Sequence, residues 1–167
     1  MIFQKSKSQK IKNKARESLS DKISIEKKTY VVDSSAVINR FLPQLLSRNL
    51  KGKIIIPNAV MAELEHLANK GLEIGFIGLE EISALHKLKQ IKLEFQGQRP
   101  QETHIRRAKS GEIDAIIREL ASRNKATLIT ADLVQAKSAQ AYGIEVIFLK
   151  PEIKKKRFFS FLFKNKD

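Results

Sequence analysis

A chain of 167 residues, 42% of them hydrophobic, can bury one ordinary core, and a second full domain is not expected. Without cysteine it has no disulfides, thiolate catalysis or Cys-based zinc site, and without an apolar run near the roughly 18 residues that span a bilayer, or a secretory signal in MIFQKSKSQKIKNK, it reads as soluble and cytoplasmic. Its net charge of +14 favours a polyanionic partner.

Residues 1–28 hold nine Lys/Arg against three Asp/Glu and lack strong periodicity, so a flexible basic extension is expected, serving either solubility or nucleic-acid contact. The folded domain is expected at 29–149. It opens on TYVVD, a short β-rich run, followed by SSAVINRFLPQLLSRN with apolar spacings of three and four. KIII is the second strand, and NAVMAELEHLANK and LEEISALHKLKQ are the next helices. IKLEF is the third strand. The loop RPQETHIRRAK then leads to the helix GEIDAIIRELASRN, the strand TLIT, a short helix from Asp132 to Tyr142 with Gly143 as its stop, and the strand EVIFL. Residues 150–167, KPEIKKKRFFSFLFKNKD, form a basic and aromatic tail. Strands alternating with helices predict an α/β fold of three layers, α/β/α, around a mainly parallel sheet of about five strands buried on both faces. In such sheets ligands bind beyond the carboxyl ends of the strands, where strand order reverses.

Four acids matter most: Asp33 ending the first strand, Glu63 in the second long helical segment, Asp114 in GEIDAII, and Asp132 just after TLIT. Asp33 and Asp132 fall at strand ends, and the helical acids can line the same crevice. Crowded carboxylates repel unless a divalent cation offsets their charge, and hard oxygen ligands suit Mg²⁺ or Mn²⁺. An acidic metal pocket in a basic protein is the arrangement expected of a nuclease. Each acid also has an ordinary role open to it. Asp33 and Asp132 could be helix caps, and Glu63 shares its helix with Glu65 without a spacing that separates the two. Asp114, flanked by Ile113, Ala115, Ile116 and Ile117, would be costly there unless it faced a polar cleft.

The order VVDSSAVI, VMAELEHLA, GEIDAII and TLITADLVQA resembles the PIN domain, a family of metal-dependent ribonucleases, over most of residues 29–149. The resemblance implies that Asp33, Glu63, Asp114 and Asp132 are the catalytic and metal-binding acids, holding one or two Mg²⁺ or Mn²⁺ ions. It is closer still, through KIIIPNAVMAELEHLANKG, GFIGLEEI and GQRP, to the PIN domain at the N-terminus of archaeal proteins that also carry an ATPase and a KH domain. No GxxxxGK[ST] loop occurs here, so no nucleotide-driven activity carries over; either the domain is free-standing or the remaining machinery is a separate chain.

Thr130, Glu112 and Ser34 are the residues expected to support the acids: Thr130 beside them or bonded to backbone, Glu112 as helix cap, supporting residue or further ligand, and Ser34 next to Asp33. Arg99, Arg106, Arg107 and Lys109, just upstream of GEID, are candidate phosphate contacts. His66, His86 and His104 lack ligand spacing and receive no catalytic role. The resulting expectation is an endoribonuclease hydrolysing single-stranded RNA to leave a 5′-phosphate. Two alternatives stay open: a toxin with an antitoxin partner, and a non-catalytic RNA-binding module docked on an ATPase or ribosome-associated complex. A homo-oligomer is equally compatible with the sequence.

Overall fold

The computed structural model describes residues 28–101, 103, 105 and 111–150. Most of the two basic extensions, with His104, Arg106, Arg107 and Lys109, lies outside the described residues.

Five parallel strands form one sheet: β1 Thr29–Val32, β2 Gly52–Pro57, β3 Ile91–Gln96, β4 Thr127–Thr130 and β5 Val146–Phe148, in the order β3-β2-β1-β4-β5. Val31 sits opposite Ile55 of β2 and Leu128 of β4, so β1 is central and its Val31 and Val32 are fully buried. These β-branched runs belong in the middle of a parallel sheet covered on both faces. The outer strands differ from expectation. β3 alternates between exposed and half-buried residues, and β5 ends on the exposed Phe148, because an edge strand is covered on fewer sides.

Helices flank the sheet to give a three-layer α/β fold: α1 Ser34–Ile38, α2 Leu42–Ser47, α3 Asn58–Asn69, α4 Glu73–Leu85, α5 Glu112–Arg123 and α6 Leu133–Ala141. The segment SSAVINRFLPQLLSRN is thus two helices rather than one. Arg40 adopts φ 52 between them, and the buried Glu81 of α4 accepts the Leu42 N–H at 3.1 Å, satisfying one of the orphan donors at the start of α2. Helix α4 begins at Glu73, earlier than LEEIS suggests, and includes Gly75. A Cβ there would lie 2.3 Å from the Ala68 amide nitrogen and 2.7 Å from the Leu64 carbonyl, so glycine is what lets α4 lie backbone to backbone on α3. No helix among the described residues is long and apolar enough to cross a membrane.

Strand order reverses between β1 and β4. The carboxyl ends of those two strands carry Asp33 and, two residues past Thr130, Asp132.

Candidate metal and nucleic-acid site

Asp33 leaves β1 with its amide still bonded to the Ile129 carbonyl of β4 at 2.9 Å, and its side chain is buried at 2% exposure. A buried carboxylate needs donors. Oδ2 accepts the Ser35 hydroxyl at 2.6 Å and the Thr130 hydroxyl at 2.7 Å, and Oδ1 has the longer contact to Ser34 at 3.4 Å. Although Asp33 stands at the N-cap position of α1, it makes no side-chain cap bond; hydroxyls occupy it instead.

Thr130, fully buried, serves both ends of the crevice. Its oxygen donates to Asp33 and accepts the Asp132 N–H at 3.0 Å, so the two roles weighed for it coexist. Ser35 accepts the Ala131 N–H at 3.0 Å. The β1–α1 turn is therefore stitched to the β4–α6 turn by two hydroxyls. Asp132 does cap α6, its Oδ1 accepting the Val134 and Gln135 amides at 2.6 and 3.1 Å, while remaining exposed.

The helical acids face the same centre. Burial pushes the Glu63 carboxyl above the usual carboxylate range; the Ser34 hydroxyl pulls it down, and the Asp33 and Asp114 charges push it up again. Asp114 is likewise raised, first by burial and then by Asp33 and Asp132, against a lowering by Arg118. All four acids thus sit within one another's fields, Glu63 through Asp33 and Asp114, and Asp132 through Asp114. The side chain of Gln135, fully buried, donates to the Asp114 carbonyl at 3.1 Å and accepts from Arg118, bracing α5 against α6.

Residues 30–149 match the PIN domain family model. The chain belongs to the PIN domain family. PIN domains are generally nucleases, and they typically use divalent metal ions. Over 134 residues the chain is 44% identical to the uncharacterized KH and PIN-domain containing protein MJ1533 of Methanocaldococcus jannaschii, covering 77% of this chain and 21% of that protein. It is 25% identical over 120 residues to the Holliday junction branch migration ATPase PINA of Sulfolobus acidocaldarius, covering 71% of this chain and 22% of that one. The chain therefore spans about a fifth of the length of these curated relatives. A solved structure, described as a domain of a functionally unknown protein from Methanocaldococcus jannaschii, superposes with a TM-score of 0.69 at 43% identity, covering 74% of this chain and 91% of that domain.

Within this PIN domain, oxygen donors fit a hard cation by chemistry. Among the described residues no three His, Asp or Glu side chains stand close enough to hold an ion unaided. Glu112 lies in the exposed first turn of α5, directly after its N-cap Gly111 at φ 96. Arg99 is ion-paired with Glu65 of α3, in a polar cleft of about 360 Å³ that also includes His66, Asn69 and Gln101. His86 stacks on Phe95 with ring centroids 6.2 Å apart. Ser35, Gln135 and Arg118 were not singled out from the sequence. The doubled serine after Asp33 signals the first, and Arg118, four residues past Asp114 on the same helical face, hints at the third.

Proposed function

We propose that this PIN domain is a metal-dependent endoribonuclease that hydrolyses single-stranded RNA. The observation that carries it is that Asp33 and Asp132 stand at the reversal point of the sheet, while Glu63 and Asp114, both raised first by burial, lie near enough to feel their charge, Glu63 that of Asp33 and Asp114, and Asp114 that of Asp33 and Asp132. Such a set carries negative charge that a polyanionic substrate would only worsen without a cation. Mg²⁺ or Mn²⁺ held by these carboxylates would supply Lewis-acid stabilisation and a more acidic bound water.

The chain's own residues supply position. Ser35 and Thr130 fix the Asp33 carboxylate, Thr130 ties the Asp132 backbone to the same point, and Gln135 holds the Asp114 backbone. The Ser34 hydroxyl orients Glu63 and makes a longer contact with Asp33 at 3.4 Å. Arg106, Arg107 and Lys109, with Arg99 when it is released from Glu65, are proposed phosphate contacts, and the basic extensions 1–28 and 150–167 add nonspecific affinity. In-line hydrolysis should leave a 5′-phosphate and a 3′-hydroxyl. The relatives' names bring KH and ATPase functions into view, and a chain bearing one of them is the proposed partner.

The test is incubation of the purified chain with end-labelled single-stranded RNA in Mn²⁺, Mg²⁺ or EDTA, beside Asp33→Asn, with a branched DNA arm because one relative is named for Holliday junctions. Cleavage of RNA in metal alone, lost in Asp33→Asn, is expected. Equal cleavage by the variant, or in EDTA, would sink the assignment.

A further inference from the structure

We propose that a cleft beside Asp114, walled by Tyr142, is a stacking site for one unpaired base of a single-stranded RNA; this rests on the nuclease reading above and specifies how the substrate is held. The cleft has a volume of about 310 Å³ and is lined by Ala115, Arg118, Glu119, Ser122, Tyr142 and Ile144. Asp114 is not itself a lining residue, but Arg118, which lines the cleft, lies near enough to act on the Asp114 carboxyl, so the cleft neighbours the acids. From Ala115 to Ser122 it follows α5 for roughly 10 Å at the helical rise.

The wall is already assembled for stacking. Tyr142 is 76% exposed, and the Arg118 guanidinium carbon lies 5.9 Å from its ring centroid. Aromatic rings and guanidinium planes are the two surfaces on which unpaired bases stack. Arg118 is not a loose side chain, because it donates to the buried Gln135, which in turn donates to the Asp114 carbonyl. The platform is therefore braced to the helix that presents an acid.

Charge favours the same occupant. Glu119 is paired with Arg123 at 2.5 Å, and Glu145, which lines an adjoining cavity of about 300 Å³, is paired with Lys28 at 3.2 Å. That leaves Arg118 and Lys125 to set the sign of the groove, which suits ribose phosphates. Ala115 and Ile144 give an apolar floor. Volumes near 300 Å³ are at the small end for ligand clefts, enough for a base and too small for a helix of a protein partner. With few groups aimed at base edges, discrimination among bases should be weak.

The chain has two tyrosines and no tryptophan, and Tyr30 is only 5% exposed, so tyrosine emission reports on Tyr142 as the exposed fluorophore. The experiment uses the full chain carrying Asp33→Asn, to prevent cleavage, titrated with hexaadenylate and with an abasic ribonucleotide hexamer of the same charge. Hexaadenylate should quench the emission and the abasic strand should not. Measured by fluorescence anisotropy of end-labelled strands, which needs no tyrosine, adding Tyr142→Ala should weaken hexaadenylate binding about 5- to 150-fold, the range for one lost stack, while Tyr142→Phe should stay within about twofold because the ring is kept. Affinity for the abasic strand should be unmoved by either change. Equal affinity of Tyr142→Ala and its parent for hexaadenylate, or equal quenching by the abasic strand, would overturn the proposal. Failure of the nuclease reading alone has a different signature: no cleavage by the wild type in Mn²⁺, with the quenching and the Tyr142 dependence intact.

Discussion

Replacing Thr130 by Val keeps a similar shape and removes one hydroxyl on which both strand ends depend. In the folded chain that hydroxyl donates to Asp33 Oδ2 at 2.7 Å and accepts the Asp132 N–H at 3.0 Å. A hydrogen bond to a charged group contributes about 1.5–3 kcal/mol, and the abandoned Asp132 amide, beside an exposed residue, can turn to water at a cost of about 0.5 kcal/mol. The expected loss is therefore about 2–3.5 kcal/mol. In an Asp33→Asn background the bond becomes neutral, so the same change should cost only about 1–2 kcal/mol, a coupling of about 1–1.5 kcal/mol. Urea unfolding of the four proteins in EDTA measures both, provided the denaturant slope is unchanged. A loss under about 0.5 kcal/mol, or an identical cost in both backgrounds, would show that Thr130 does not hold Asp33.

The raised carboxyls of Glu63 and Asp114 mean that the folded state binds protons more readily than the unfolded chain, so the stability they contribute is present below the ordinary carboxylate range and lost as pH rises through their raised values. Asp114→Asn should then melt higher than the wild type in EDTA, by a margin that widens from about pH 4 to neutrality; a margin independent of pH would refute the crowding. Gly75→Ala should destabilise by about 1–3 kcal/mol despite its better helix propensity, because the new methyl meets backbone atoms of α3; a calorimetric melt at or above wild type would mean that the helices part freely. Deleting residues 1–28 should flatten the salt dependence of RNA affinity without abolishing cleavage at saturation, and an unchanged slope would leave that segment a solubility role.

The sheet was legible because its strands are short apolar runs between turn signals, and the placing of Asp33 and Asp132 just past strand ends was legible because each follows such a run. Helix breaks were harder. Apolar spacing runs on through Asn39 and Arg40, and nothing local shows that Glu81, some forty residues later, will cap a new start at Leu42. Gly75 and Gly78 of GLEIGFIG lie inside α4 because α3 packs against them, a long-range contact that the local sequence does not announce. Ser35 and Gln135 escaped notice for a related reason. The Ser35 bond to the Ala131 amide joins residues 96 positions apart, those of Gln135 join residues 17 and 21 apart, and no local pattern encodes such closures.

The hydroxyl bond between Thr130 and Asp33 spans 97 positions of the chain. A polypeptide emerging from a ribosome cannot close that loop until nearly the whole domain is out, and long-range closures are among the slower events in folding. Any cleavage by this site is consequently a property of the finished domain. A stalled or truncated chain that lacks β4 has Asp33 without its partner strand and Asp114 without its brace, so the proposed RNA cleavage would await release of the whole domain from the machinery, itself built of RNA, that makes it.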